Sequence, residues 1–425
     1  MKTILDRRNF LKTTALTGLT IIKPESVFGA PSNSAINLGI IGCGSRGSHV
    51  AASFIEHTNT RVTAIADLFE DRLLEGKKRF NELSAKKGYP QLNDSGLFRG
   101  SRAFLRLLEL KDVDAVLIAT PHYQHPEQLT AAVEAGKHVY LEKPVAVDVH
   151  GCRMVTAAGR KAQGHLSLAV GFQIRHATPF VEMVRRIHRG DIGDIVMGQT
   201  YYLAGGPNRT TLAGIPPDEM RIRLWALDRM LSGDNILLQG VHVLDICNWV
   251  LQSHPIKATG TGGRKARYEW GDNWSYFLVT CEYPGKIPVS FQSQQFDPGY
   301  GDVCERFFGT KGISESHYTG GVFIKGGNEW DSGVVHGTQE EISAKDWAAG
   351  AFRSALDDAD PNKQKAFIDS IKNGNYLNET DSGVGSTLSA ILCSTAAYRG
   401  EDVTWDEIIA SDDKWEPMID LSQFD

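Results

Sequence analysis

Three glycines in G-x-G-x-x-G spacing constrain this chain more than anything else in it. Leu38 to Ile41, an apolar run, feeds straight into Gly42, Gly44 and Gly47, and an amphipathic segment from Ser48 to His57 follows. That pattern reads strand, glycine turn, helix. In such a turn Gly42 makes the tight bend, Gly44 lets the main chain approach a pyrophosphate, and Gly47 lets helix and strand pack closely. With Ser45 and Arg46, the loop would offer free N–H groups at the positive end of a helix, which suits phosphate. A second apolar strand, Arg61 to Ala66, ends in Asp67, 20 residues after Gly47, where a carboxylate accepts hydrogen bonds from ribose hydroxyls. Leu68 follows rather than an arginine to meet a 2′-phosphate, so NAD is expected over NADP.

The same rhythm continues. A charged helix is expected over Glu70 to Lys87, a continuous apolar strand over Val113 to Pro121, a helix over Glu127 to Ala135, and a strand at His138 to Leu141 that ends in Glu142-Lys143-Pro144. A last step runs through a helix at Val149 to Gln163 to a strand at Leu166 to Gly171. Strands alternating with helices imply a doubly wound parallel sheet over residues 35–171. From Phe172 the pattern changes: a helix at Pro179 to Arg189, then strands at Val196 to Ala204, Ile256 to Gly262, Tyr276 to Tyr283, Val289 to Phe296 and Val303 to Gly309, with a helical insert from Arg221 to Leu251. Two helices, Asn362 to Lys372 and Gly383 to Tyr398, close the chain. Consecutive strands joined by short turns predict an α+β second domain over 172–425, built on a large, mostly antiparallel open sheet.

Composition excludes more than it identifies. A net charge of −6 with mixed signs leaves no basic field for nucleic acid. No apolar run approaches the roughly 18 residues needed to span a bilayer, so stable membrane insertion is not expected. Six scattered cysteines without a C-x-x-C are read as buried thiols. Residues 1–34 are a different kind of segment. Arg7-Arg8-Asn9-Phe10-Leu11-Lys12, a modest apolar stretch and small residues at Gly29-Ala30 form a twin-arginine export pattern, predicting a periplasmic protein. That route carries folded proteins. An exported enzyme has no cytoplasmic nicotinamide pool to draw on, so its cofactor should be tightly held and regenerated within the cycle.

Two constellations carry the chemistry. Lys143, at the carboxyl end of a strand where such folds bind ligands, is placed to hydrogen-bond a substrate hydroxyl and stabilise an alkoxide. In Gly240-Val241-His242-Val243-Leu244-Asp245, His242 and Asp245 share a helix face, so the histidine is a candidate proton relay oriented by the aspartate. No further ligands lie near them at metal-like spacing, and no metal is expected there. Arg175 and His176, past the strand ending at Gly171, are candidates for substrate binding or for interdomain ion pairing; Tyr202 is a candidate for stacking on a sugar ring or for the core.

Together these segments resemble the glucose-fructose oxidoreductase, inositol dehydrogenase and MocA family. The resemblance covers nearly all of residues 36–400 and rests on the glycine loop, Ala119-Thr120-Pro121 with His125-Pro126-Glu127, Gly136-Lys137-His138-Val139 leading to Glu142-Lys143-Pro144, and the G-x-H-x-x-D segment. It implies that Lys143 contacts the reacting hydroxyl and His242 moves a proton, and that Thr120, Pro121, His122, His125 and Glu142 line the nicotinamide side. It also implies a substrate wall and a homo-oligomer interface on the second sheet. One departure stands out: many relatives carry an aspartate four residues before the histidine, and here that residue is Leu238. Either His242 acts alone, helped by Asp245 or Gln239, or the reaction differs from simple alcohol oxidation. Three readings follow: an NAD-dependent sugar or glycoside oxidoreductase, a redox-neutral glycoside-cleaving enzyme, and a dinucleotide sensor without catalysis.

Overall fold

The computed structural model of the protein describes residues 34–206, 214–265, 270–296, 301–334 and 355–425. Residues 1–33, which carry the twin-arginine pattern, lie outside them. Ile36 to Asp425 form one compact unit built on two sheets.

The first sheet holds β1 (Ile36–Ile41), β2 (Thr60–Asp67), β3 (Leu97–Arg99), β4 (Ala115–Ile118), β5 (His138–Leu141) and β6 (Leu168–Val170) in the order β3-β2-β1-β4-β5-β6. Every pairing is parallel. This is the doubly wound arrangement, with a crevice outside the carboxyl ends of β1 and β4 where the strand order reverses. All four residues of β4 are buried, as a strand covered by helices on both faces must be. The helices between are α1 (Ser45–His57), α2 (Glu70–Lys87), α3 (Ala103–Leu108), α4 (His125–Glu134) and α5 (Val149–Ala162). α2 ends at Gly88 in the left-handed conformation, and Asp148 caps α5 by accepting from the Gly151 N–H. Of these elements β3 and α3 were not expected from the sequence; a three-residue edge strand leaves too little pattern to read.

α6 (Thr178–His188) leads into the second sheet. Its strands are β7 (Ile195–Ala204), β8 (Lys257–Gly263), β9 (Tyr276–Tyr283), β10 (Ile287–Gln295), β11 (Asp302–Gly309), β12 (Gly312–His317), β13 (Val322–Gly326), β14 (Trp330–Asp331) and β15 (Val403–Thr404), ordered β14-β13-β12-β11-β7-β10-β9-β8-β15. All pairings are antiparallel except β7 with β10. The expected sheet ended at β11. β12, whose inward side chains are Ser314 and Ser316, lacks the apolar alternation that marks a strand.

Between β7 and β8 the chain forms α7 (Pro217–Arg223), α8 (Arg229–Ser232), a π turn at Ile236–Gly240 and α9 (Val241–Leu251). α10 (Ala359–Asn373) and α11 (Thr380–Arg399) follow β14 in the described chain, and α12 (Trp405–Ala410) follows β15. α10 returns to the first sheet: Phe367 packs edge-on against Phe54 of α1 at 6.1 Å, and Ser53 donates to Gln364 at 2.7 Å. All six cysteines are buried and none forms a disulfide.

Candidate active site

The glycine loop takes the conformation its spacing implies. Gly42 has φ +96°, and a Cβ there would meet the Ala119 carbonyl oxygen at 2.6 Å; a Cβ on Gly47 would lie 2.0 Å from the Gly42 carbonyl oxygen. Gly44 is different. A Cβ there would meet nothing within 4 Å, so the main chain at the start of α1 borders open space. No acidic residue occupies the first turn of α1, so its positive end is uncompensated within the helix. Asp67, at the end of β2, accepts from the Cys43 N–H at 2.7 Å and the Phe69 N–H at 3.0 Å. Burial raises its carboxyl above the ordinary range. An open glycine, exposed N–H donors and an acidic residue at the tip of β2 fit the pyrophosphate and ribose of a dinucleotide.

Arg46 turns away from that space. Its guanidinium meets both oxygens of Asp360 at 2.9 Å and Glu142 at 3.1 Å. Burial works against its charge, but Asp360 and Glu142 hold its pKa above the usual value, while Asp360 is held below the carboxylate range by Arg46 despite burial. Arg46 and Glu142, expected as cofactor ligands, are therefore committed to an ion-pair network inside the protein. Asp360 arrives from α10, 314 residues along the chain, and nothing in its local sequence announces the role.

Two other expected cofactor residues are also committed. His122 Nδ1 bonds the Ser232 carbonyl at 2.7 Å, and its ring lies edge-on to Trp225 at 4.6 Å. His125 sits between the carbonyls of Pro144 (2.8 Å) and Thr120 (3.0 Å), where burial lowers its pKa to about 4, so the neutral ring donates to one of them. His125 thereby ties Thr120 to Pro144 of the cis Lys143–Pro144 peptide, His122 ties its own turn to Ser232, and the Thr120 hydroxyl donates to Gln128 at 2.7 Å.

Lys143 reaches in the opposite direction from its neighbour Glu142. Its Nζ donates to the Leu238 main-chain carbonyl at 2.7 Å, and burial lowers its pKa to about 8. Leu238 lies in the π turn, which widens the backbone just ahead of α9 and presents that carbonyl. A main-chain oxygen thus holds the lysine at the residue where the resemblance leads one to expect an aspartate side chain.

His242 stands one helical turn further on. Tyr202 stacks on its ring at 6.4 Å and 21°, and Phe172 meets it edge-on at 6.1 Å. Burial first, then the positive charges of Lys143 and Arg46, push its pKa well below the ordinary value, so the ring is neutral. Its Nδ1 is buried and has no hydrogen-bond partner, and the same holds for Gln239 Oε1 on the preceding turn. A buried polar atom without a partner costs about 1–3 kcal/mol, which makes these two atoms candidates for groups that a ligand satisfies.

The expected His242–Asp245 relay is not formed. Both Asp245 oxygens face Arg175, at 2.8 and 2.9 Å, and Ser386 donates to one of them at 2.7 Å. Asp245 is almost fully buried and its charge requires a partner; Arg175 supplies it while stacking over Trp249 at 5.5 Å. His176 lies 3.7 Å from Glu379, which Lys363 also pairs at 2.6 Å. Arg175 and His176 are thus paired with Asp245 and Glu379, partners that lie within residues 172–425 like themselves, so these pairs do not bridge the two expected domains; Gln239 and Tyr202 are left beside His242.

Comparison with known proteins agrees with this geometry. A family model described as the oxidoreductase family, NAD-binding Rossmann fold, matches residues 36–171, and the GFO/IDH/MocA C-terminal domain matches 180–315. The chain is 29% identical to inositol 2-dehydrogenase 2 of Saccharopolyspora erythraea over 86% of its own length and 94% of that protein. It is 29% identical to a 1,5-anhydro-D-fructose reductase of Ensifer adhaerens and 28% identical to a glycosyl hydrolase family 109 protein of Solibacter usitatus, but spans only 49% and 37% of those proteins. Scyllo-inositol dehydrogenase from Lactobacillus casei, solved with NAD(H) and scyllo-inositol, shares the fold at a TM-score of 0.64 with 20% identity, covering 88% of this chain and 99% of that one.

Proposed function

Because this chain belongs to the GFO/IDH/MocA family of oxidoreductases, we propose that it moves hydride between a ring carbinol of a sugar or glycoside and a tightly held NAD. The observation that carries the reading is the pairing of a lysine of lowered pKa, held by the Leu238 carbonyl, with a neutral histidine whose Nδ1 is unpartnered. Gly44, the N–H groups at the start of α1 and Asp67 would hold the dinucleotide, with Leu68 after the aspartate favouring NAD over its 2′-phosphate. The bound nicotinamide supplies a ring that accepts and returns hydride.

The rest of the chemistry falls to the protein. Lys143, mostly protonated below pH 8, donates to the substrate oxygen and stabilises negative charge there. As the carbinol carbon is oxidised its O–H becomes strongly acidic, so even a weakly basic imidazole can take the proton. His242 is kept neutral and free to do so, without help from Asp245. Gln239 Oε1 accepts from a neighbouring hydroxyl, and Tyr202 holds the imidazole in plane.

A second reading has the glycosyl hydrolase family 109 relative in its favour. Oxidation at one ring carbon acidifies the adjacent C–H, the glycosidic group leaves by elimination with that proton, water adds across the double bond so formed, and hydride return to the carbonyl makes the cycle redox-neutral. A cofactor that never leaves would suit an exported enzyme, and the twin-arginine pattern at Arg7-Arg8 supports a periplasmic location. Purified protein incubated with aryl glycosides and sugars, without added NAD, separates the two. Aglycone release with no net NADH selects cleavage, a keto-sugar with NADH selects dehydrogenation, and neither product overturns both. The outward face of the second sheet exposes Met197, Leu278 and Ile313, and we place a second copy of the chain on it. Leu278→Asp should then lower the mass measured by light scattering.

A further inference from the structure

On the outward face of the second sheet, away from Tyr202 and His242, five chemistry-bearing side chains fall into one patch, with Asp302 and Glu315 on opposite sides of a Cys304–His317 pair. Cys304 and His317 are direct cross-strand partners on β11 and β12, Tyr201 of β7 flanks Cys304 on its other side, and Glu315 and Asp302 sit two residues along from His317 and Cys304. Period-2 alternation puts all of them on one face, where opposite side chains are about 5 Å apart and diagonal ones within reach. Ligand atoms of Cys304, Glu315 and His317 lie within 4.8 Å of one another. The imidazole is held from both ends: Nε2 is 2.9 Å from Glu315 Oε1, and Nδ1 is 2.9 Å from Asp302 Oδ1, while the Tyr201 hydroxyl anchors Asp302 at 2.8 Å.

We propose that Cys304, Glu315 and His317 bind a divalent cation of the zinc class, with Asp302 as the outer carboxylate that orients the imidazole. A thiolate, an imidazole and a carboxylate are the donor set that zinc and cobalt take and that magnesium and calcium avoid. An Asp–His–metal chain fixes which ring nitrogen faces the ion. Charge balances in both states. Metal-free, the imidazolium and Arg306, which pairs with Glu315, offset the two carboxylates beside a neutral thiol. With the cation bound, the thiol proton and the imidazolium proton pass to solvent, and the dication and Arg306 offset the thiolate and both carboxylates. Because the ion binds only after the ligands have given up those protons, affinity climbs with pH. Three protein ligands on a rigid sheet leave a further position for water or another donor.

The test is titration of the chelator-treated full chain with Co²⁺, read by absorption. The expected result is one ion per chain with a thiolate-to-cobalt charge-transfer band, displaced by Zn²⁺ and strengthening from mildly acidic to mildly alkaline pH. Asp302→Asn should weaken binding about 10- to 100-fold, and Cys304→Ser should abolish the charge-transfer band with the far-ultraviolet circular dichroism unchanged. Cobalt uptake by the wild type without that band, or equal affinity in a Cys304→Ser/His317→Ala double variant, overturns the proposal. The wild-type spectrum decides the matter even if a variant misfolds.

Discussion

Glu142 and Lys143 are neighbours in sequence and belong to opposite kinds of site. Glu142 enters a closed cluster, in which Arg46 binds both oxygens of Asp360 and one of Glu142. Lys143 enters an open one, held by a single main-chain carbonyl beside an imidazole nitrogen and an amide oxygen with no partners. A closed cluster serves architecture: it ties the glycine loop, the end of β5 and α10 together. An open cluster leaves polar atoms for something else to satisfy. Both are buried and charged, so charge alone does not mark the catalytic centre; in the closed cluster Glu142 Oε1 still has a guanidinium 3.1 Å away, whereas His242 Nδ1 and Gln239 Oε1 have no hydrogen-bond partner and no ion pair.

The largest expected effect breaks the open cluster. Lys143→Met should lower turnover by about 10²- to 10⁴-fold, the usual range for a group acting on the proton and charge of the transition state, while leaving the melting temperature near that of the wild type. Loss of stability with unchanged turnover would instead put Lys143 with the closed set and return the sensor reading. The closed cluster should respond in the opposite sense. Asp360→Ala takes from Arg46 the carboxylate that binds it through both oxygens, and loss of one partner from a buried pair costs about 3–5 kcal/mol of stability, read as a lower urea midpoint at unchanged slope. Residual folded enzyme should keep its kcat.

A pH series sharpens the contrast. Burial lowers Lys143 to about 8, so turnover should fall roughly tenfold per pH unit above that value as the donor loses its proton. Another buried carboxylate with its partners in place titrates at the other end. Glu379, held down to about 2 by Lys363 and His176 in spite of burial, has a folded pKa below its unfolded one. Its stabilising contribution is complete above the unfolded value of about 4.3 and is lost as pH falls from there toward 2. Acid unfolding in that window, with activity loss in the alkaline one, would keep the two clusters distinct; a coincident loss of activity and structure would merge them.

The sequence made the open cluster partly legible and the closed one hardly at all. Lys143 and His242 stand in recognisable strings, and α2 and β9 have the bounds their patterns predict. Leu238 looked like a missing group because main-chain oxygens leave no trace in a sequence, yet its carbonyl accepts from Lys143. Asp245 looked like the partner of His242 because helical spacing put them on one face; which neighbour actually claims a buried carboxylate depends on Arg175, 70 residues earlier. Asp360 could not be paired with Arg46 without knowing that α10 packs back on α1. Long-range ion pairs and backbone acceptors escape local pattern, whereas glycine turns, apolar strands and helix caps are local by nature.

Two glycines of one loop supply the smallest and most selective test. A Cβ at Gly47 would lie 2.0 Å from the Gly42 carbonyl oxygen, backbone that cannot step aside, so Gly47→Ala should unsettle the first turn whether or not a dinucleotide is present. At Gly44 the added methyl would meet no protein atom. Gly44→Ala should therefore leave the unfolding midpoint of the cofactor-free protein within about 0.5 kcal/mol of the wild type, as for substitutions that disturb no contact. It should nonetheless weaken NAD binding measured by calorimetry, because the methyl occupies the space through which the main chain approaches the pyrophosphate. Equal NAD affinity in Gly44→Ala and wild type would mean that the open space beside Gly44 is not where phosphate sits, and would remove the dinucleotide from the crevice on which the Lys143 and His242 chemistry depends.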